Sequence, residues 1–144
     1  MDGVLSSLVG LPISHARSGY GGTALFDLGT LQPYKTRKGN DSRRGEVSLM
    51  IECSWRVEKA RSVWFGAFDS DRIIDSRLAK LVGHTVEGAT LEGRFPELRL
   101  KLSGGSQLTS FTCSHGDSCW VIFTRNHQYQ YYAKAQRLYK VLPD

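Results

Sequence analysis

The densest set of reactive side chains is Cys113-Ser114-His115-Gly116-Asp117-Ser118-Cys119, with two thiols, an imidazole and a carboxylate in one short segment. Thiolates and imidazoles are the usual ligands of zinc, which takes four of them in a structural site. Here the cysteines are not spaced as C-x-x-C, and no second ligand pair follows; His15, His84 and His127 stand alone. The segment therefore reads as a hairpin loop, with no metal and no cofactor.

Other chemistry fails on similar grounds. Gly116-Asp117-Ser118 has the residue types of a protease nucleophile loop, but Cys119 follows where glycine is needed. A triad is defined by geometry and roles, and the chain is too short for a second large barrel. Gly19-Tyr20-Gly21-Gly22 lacks the Lys-Ser/Thr pair of a phosphate loop and reads as a turn. Asp69, Asp71 and Asp75 are spaced to share a divalent cation or serve a nuclease. They also sit at a turn and a helix start, where Asp has a structural task already. No nucleophile–base pair stands out, so no catalytic residue is assigned and the reading leans away from an enzyme.

Two features suit binding. Trp55 is expected to face the core while Arg56 points out on the open face of its sheet, with Glu58 two residues on. Arg56 there pairs within the sheet or anchors a partner's carboxylate. The second feature is the stretch Tyr129 to Lys140, which mixes aromatics and cations: Tyr132, Lys134, Arg137, Tyr139 and Lys140. This mixture suits a terminal helix packing a tyrosine stripe on the sheet, a protein interface, or stacking on RNA.

The charge balance is consistent with such surfaces. The net charge is +5 from 19 basic and 14 acidic residues. The segment 125–144 contributes Arg125, Lys134, Arg137 and Lys140 against Asp144 alone. Lys35, Arg37, Lys38, Arg43 and Arg44 form a second basic cluster, partly offset by Asp41 and Glu46. A basic surface attracts polyanions or an acidic protein. The 40% apolar and 23% charged content is that of a globular chain, not a disordered one. At 144 residues it is expected to form a single domain, 1–144, with a basic C-terminal segment. No apolar run is long enough for a membrane helix, and the start lacks the pattern of a secretory signal. Three cysteines make a poor disulfide framework, so a cytoplasmic setting is expected. Cys53 is expected to be a small core residue.

These residues must be positioned by strands. Asp2 is placed to cap a short helix through Val4, Leu5, Leu8 and Val9, ending near Gly10. Ala24 to Leu31 reads as a strand, and Gln32 to Arg44 as a long mobile loop. Glu46 to Val57 alternates strictly, with Val47, Leu49, Ile51, Cys53, Trp55 and Val57 on one face, and reads as one long strand. Ser62 to Phe68 follows. Ile74, Leu78, Leu81 and Val82 recur at helical spacing and end near Gly83. Thr85–Leu91, Leu98–Leu102, Gln107–Thr112 and Trp120–Thr124 complete a meander, with Gly104-Gly105 as a hairpin signal. Residues Gln128 to Val141 are expected to form a terminal helix. The expected fold class is α+β. It is a curled antiparallel sheet, a roll or sandwich of about six to seven strands, with one short central helix and this C-terminal helix.

In combination, several motifs resemble an uncharacterised family of small single-domain bacterial proteins. They are Leu8-Val9-Gly10-Leu11-Pro12, Gly45-Glu46 before Cys53-Ser54-Trp55-Arg56, Gly66-Ala67-Phe68-Asp69 and Asp75-Ser76-Arg77. Leu98 to Leu102, Gly104-Gly105, Leu108-Thr109-Ser110-Phe111 and Trp120-Val121-Ile122-Phe123 close the pattern. The resemblance spans residues 8–124 and brings no activity with it. By analogy alone, such small proteins look like immunity proteins beside toxin genes.

The expected function is a non-catalytic protein-binding domain, in its most specific form an immunity or antitoxin-like protein that masks a protein partner. The alternative is an RNA- or DNA-binding module using the basic C-terminal segment and the 35–44 loop.

Overall fold

A computed structural model describes residues 3–52, 54–124, 130–134 and 137–141; for 130, 131, 134, 137–139 and 141 it describes the backbone alone. Asp2, Cys53, Arg125, His127, Gln128, Tyr129 and Asp144, named above, lie outside the described residues. The fold is α+β and mostly antiparallel. A short helix α1 (Gly3–Leu8) leads into β1 (Ile13–Ser18) and β2 (Ala24–Leu28). Then come β3 (Gln32–Lys35), β4 (Asp41–Arg44), β5 (Val47–Ile51), β6 (Ser54–Lys59) and β7 (Ser62–Gly66). Helix α2 (Asp71–Leu81) precedes β8 (Val86–Glu92), β9 (Glu97–Leu102), β10 (Ser106–Phe111) and β11 (Trp120–Phe123). The chain closes with β12 (Gln130–Lys134) and β13 (Arg137–Val141).

Among the described residues thirteen strands exceed the expected six to seven, and they divide among three sheets. One has six strands in the order β1-β2-β5-β11-β12-β13, and a second has five in the order β7-β6-β10-β9-β8. The third is the two-stranded ribbon β3-β4. The stretch expected to be one strand from Glu46 to Val57 is in fact two, and they belong to different sheets. Val47, Leu49 and Ile51 are buried on β5, Trp55 and Val57 on β6. The chain turns the corner between the sheets without changing which face looks inward, so the alternation runs unbroken across it. One apolar core joins both sheets and takes Leu8 from α1 and Ile74, Leu78 and Leu81 from α2.

Helix α2 follows its sequence signals. Its apolar residues recur at helical spacing, and the Ser70 hydroxyl accepts from the Ile73 N–H at the N-cap. Val82 is the C-cap and is partly exposed rather than part of the buried stripe.

Two other expectations are corrected. Gln32 to Arg44 is not a long irregular loop; β3 and β4 pair from Gln32↔Arg44 to Lys35↔Asp41 around a tight turn. Among the described residues of the expected C-terminal helix, β12 and β13 instead form an antiparallel pair registered from Gln130↔Val141 to Lys134↔Arg137. Ala133 is buried while Tyr132 beside it is half-buried, as in a strand with a single core face. Tyrosine-rich sequence favours a strand; the seven-residue spacing of Tyr132 and Tyr139 fits one face of a helix, whereas here the hairpin pairs the two across strands. No helix among the described residues is long and apolar enough to cross a membrane.

Cysteine chemistry also departs from expectation. Cys119 is disulfide-bonded, while Cys113 is a free, exposed thiol.

Candidate functional site

The outer face of the five-stranded sheet carries a groove of about 440 Å³ beside Arg56. Strand alternation builds its floor. Trp55 and Val57 point into the core, so Arg56 points outward, where it is registered between Gly66 of β7 and Thr109 of β10. The glycine is required by close approach: a Cβ at Gly66 would lie 2.8 Å from the Trp55 carbonyl oxygen. A bulge between Val57 and Glu58 then brings Val63 opposite Glu58 on the outer face. Ser54 pairs with Phe111, which closes the other end.

The walls are apolar and exposed. Val63, Phe111 and Phe68 line the groove, and Phe68 has 91% of its surface in water. Its position is set by a tight turn. The Asp69 N–H donates to the Gly66 carbonyl at 3.1 Å, and the Asp69 carboxylate accepts from the Gly66 N–H at 2.8 Å. The turn therefore holds a large apolar ring in solvent by backbone and side-chain hydrogen bonds. A second turn, Tyr20–Gly22, abuts it. Gly22 lies so close to Ala67 that a Cβ there would meet the Ala67 carbonyl at 2.7 Å. The buried Trp55 indole donates to the Gly22 carbonyl at 2.8 Å and ties that turn to the groove floor. Tyr20 on this turn is fully exposed as well.

The polar groups in the groove are sparsely satisfied. Arg56 has one ion pair among the described residues, Nε to Glu58 Oε1 at 3.8 Å, which is too long for a hydrogen bond. Its side chain is 52% exposed, and its remaining donors face the groove or solvent. Thr109 is 8% exposed, and its hydroxyl has no hydrogen-bond partner among the described residues. A buried hydroxyl without a partner costs roughly 1–3 kcal/mol, which a bound acceptor or donor would recover. Cys113 sits at the rim.

The six residues assigned to binding do not form one surface. Arg56 lies on the five-stranded sheet, whereas Tyr132 and Lys140 lie on the β12–β13 pair of the six-stranded sheet. Tyr132 pairs with Tyr139 and Lys140 with Tyr131, so alternation puts Tyr132 and Lys140 on opposite faces. Lys134 and Arg137 form a registered pair, but their side chains and that of Tyr139 lie outside the described residues.

The other chemical candidates have structural tasks. Asp69 closes the turn at Gly66, Asp71 stands in the first turn of α2, and Asp75 accepts a hydrogen bond from the Ser18 hydroxyl. Between Cys113 and Cys119 the loop is exposed, and nothing there converges on a common point among the described residues. Arg77 donates to the Trp64 carbonyl and lies over the Trp64 ring at 5.5 Å.

Sequence reasoning missed Val63, Thr109 and Phe111 as site residues, although the alternation of β10 contained the signal for two of them. Leu108 and Ser110 face inward, so Thr109 and Phe111 must face outward. Phe68 carried no periodic signal, because a turn rather than a strand presents it.

The motifs quoted above have physical reasons in this fold. Gly45 packs where a Cβ would lie 2.4 Å from the Leu28 carbonyl oxygen, and the Glu46 carboxylate accepts from the Thr30 N–H at 2.8 Å. Trp120 is wholly buried and donates to the Pro96 carbonyl at 3.2 Å. No family model, no curated protein and no solved structure matches the chain.

Proposed function

We propose that this chain is a non-catalytic protein-binding domain whose groove at Arg56 takes an apolar segment of a partner that carries a carboxylate. The observation behind it is Phe68, held almost wholly in water by a fixed turn beside an arginine with most of its donors uncommitted. Exposed aromatic and arginine side chains around a pocket are the usual anchors of protein interfaces. The carboxylate is assigned from charge complementarity with Arg56 and from a chain of net charge +5. In its sharper form, the domain acts by covering a functional surface of that partner, in the manner of an immunity or antitoxin protein. The disulfide at Cys119 counts against a reducing cytoplasm as the working compartment.

Selection of random displayed peptides against the intact chain tests this reading. Selected peptides should combine apolar residues with Asp or Glu and slow the alkylation of Cys113 at the groove rim. Arg56→Glu should reverse the charge preference. Peptides selected without any charge preference, or an Arg56→Glu chain that selects the same ones, would overturn it.

A further inference from the structure

The outer face of the six-stranded sheet carries a second, differently built depression of about 280 Å³. Two rows of registered residues make its floor. One row runs His15, Asp27 and Ser48; the next runs Arg17, Leu25 and Met50. The β3–β4 ribbon supplies the wall, with Tyr34, Arg43 and Arg44 lining the cleft. The ribbon is held in shape by its own ladder and by Arg44, whose guanidinium carbon lies 4.5 Å from the Tyr34 ring centroid.

Cations outnumber carboxylates here. Arg17 and Arg43 are both exposed and have neither an ion pair nor a hydrogen bond among the described residues. Asp27 is the one carboxylate in the lining. Its Oδ1 accepts from the Gly45 N–H at 2.9 Å and from the Ser48 hydroxyl at 2.7 Å. Its Oδ2 lies 3.7 Å from His15 Nδ1, beyond hydrogen-bond distance, and so keeps acceptor capacity. The same lining holds apolar groups: Leu25 and Met50 in the row of Arg17, with Phe123 and the Tyr34 ring.

We propose that this cleft binds a nucleotide, with its phosphate at Arg17 and Arg43 and its base against the apolar floor beside Asp27. Each part of the ligand answers a part of the cleft. Arginine forks match phosphate oxygens. Aromatic and apolar surfaces accept the face of a base. A base amino group supplies the donor that Asp27 Oδ2 lacks. A bare phosphate leaves the apolar floor unused and is repelled by Asp27, so the recognised unit is phosphate and base together. That unit is available as a free nucleotide or as one residue of a single strand.

Fluorescence titrations of the intact chain separate these sources. The probes are a labelled single-stranded oligonucleotide, with AMP and inorganic phosphate as competitors. The oligonucleotide should bind and AMP should displace it. The double variant Arg17→Glu/Arg43→Glu should weaken both by about tenfold or more, while Lys101→Glu, at an exposed position on β9 of the other sheet, leaves both unchanged. Binding by a strand shows as a far higher affinity for the oligonucleotide than for AMP. Its log affinity falls against log salt with a slope of about −0.7 per phosphate neutralised. Comparable affinities identify the free nucleotide. No binding of either probe at low salt would overturn the proposal. So would retention of affinity in the correctly folded double variant, or competition by inorganic phosphate equal to that by AMP.

Discussion

The two outer faces of this sandwich are built by different means and offer opposite chemistry. On the five-stranded sheet, a bulge and a tight turn present Val63 and Phe68 to water in a groove whose lining holds one arginine, Arg56. On the six-stranded sheet, a paired ribbon walls a floor where several cations meet apolar side chains and one carboxylate. The core between them is shared. The lesson concerns division of labour: inward residues fix the fold, and outward residues are free to differ between the sheets. Exposed Phe68 contributes nothing to the core, and exposed Arg17 and Arg43 make no ion pair among the described residues. Binding is the role proposed for each.

This contrast can be broken most severely at the core. Phe65→Ala removes a buried ring that meets Trp55 edge-on at 5.5 Å between centroids. It should cost about 3–5 kcal/mol in denaturant unfolding. Phe68→Ser, three residues on, should change stability by less than about 0.5 kcal/mol while abolishing selection of acidic, apolar peptides. If the two variants lost similar stability, Phe68 would belong to the core and the groove would be a packing feature.

Next in size is the disulfide. Cys119→Ala should lower stability by about 2–4 kcal/mol, and reductant should lower the melting temperature of the parent chain but not of this variant. A parent chain indifferent to reductant would show that the sandwich stands without the cross-link.

The smallest effect is the most discriminating. Thr109→Val replaces a buried, unpartnered hydroxyl by a methyl group of nearly the same shape. It should leave stability unchanged or raise it by about 1 kcal/mol, while weakening peptide binding in the groove. A destabilised Thr109→Val chain would mean that the hydroxyl already serves the folded protein.

Much of the fold was legible in the residue pattern, and the parts that were not share a cause. The inward faces of β5, β6 and β9 follow from alternation, and α2 from its 3.6-residue repeat and Ser70. The passage from β5 to β6 was invisible because alternation of the buried residues is preserved when the chain passes between sheets that share a core. The β3–β4 ribbon was read as loop because Gln32, Pro33, Lys35, Asp41, Arg43 and Arg44 are polar; a ribbon outside the core has no apolar face to betray it. The C-terminal hairpin reads as a helix from sequence because the seven-residue spacing of Tyr132 and Tyr139 matches a helical face, while their pairing across a hairpin leaves no local pattern. At the site, the outward placement of Arg56 was legible from Trp55 and Val57. The groove around it was not, because Val63, Phe68 and Phe111 reach it from separate strands and a turn, through pairings that no local pattern encodes. The same holds for Arg17, which lies beside the flagged basic cluster only through the ribbon.

The most direct measurement of the central claim is site-specific photo-crosslinking in the native host. A photoreactive phenylalanine analogue would replace Phe68 and, as a control, the exposed Val9 near α1. The account predicts one dominant protein adduct at position 68, absent at position 9 and lost when Arg56→Glu is added. An adduct equally strong at both positions, or one at position 68 that survives Arg56→Glu, would contradict it.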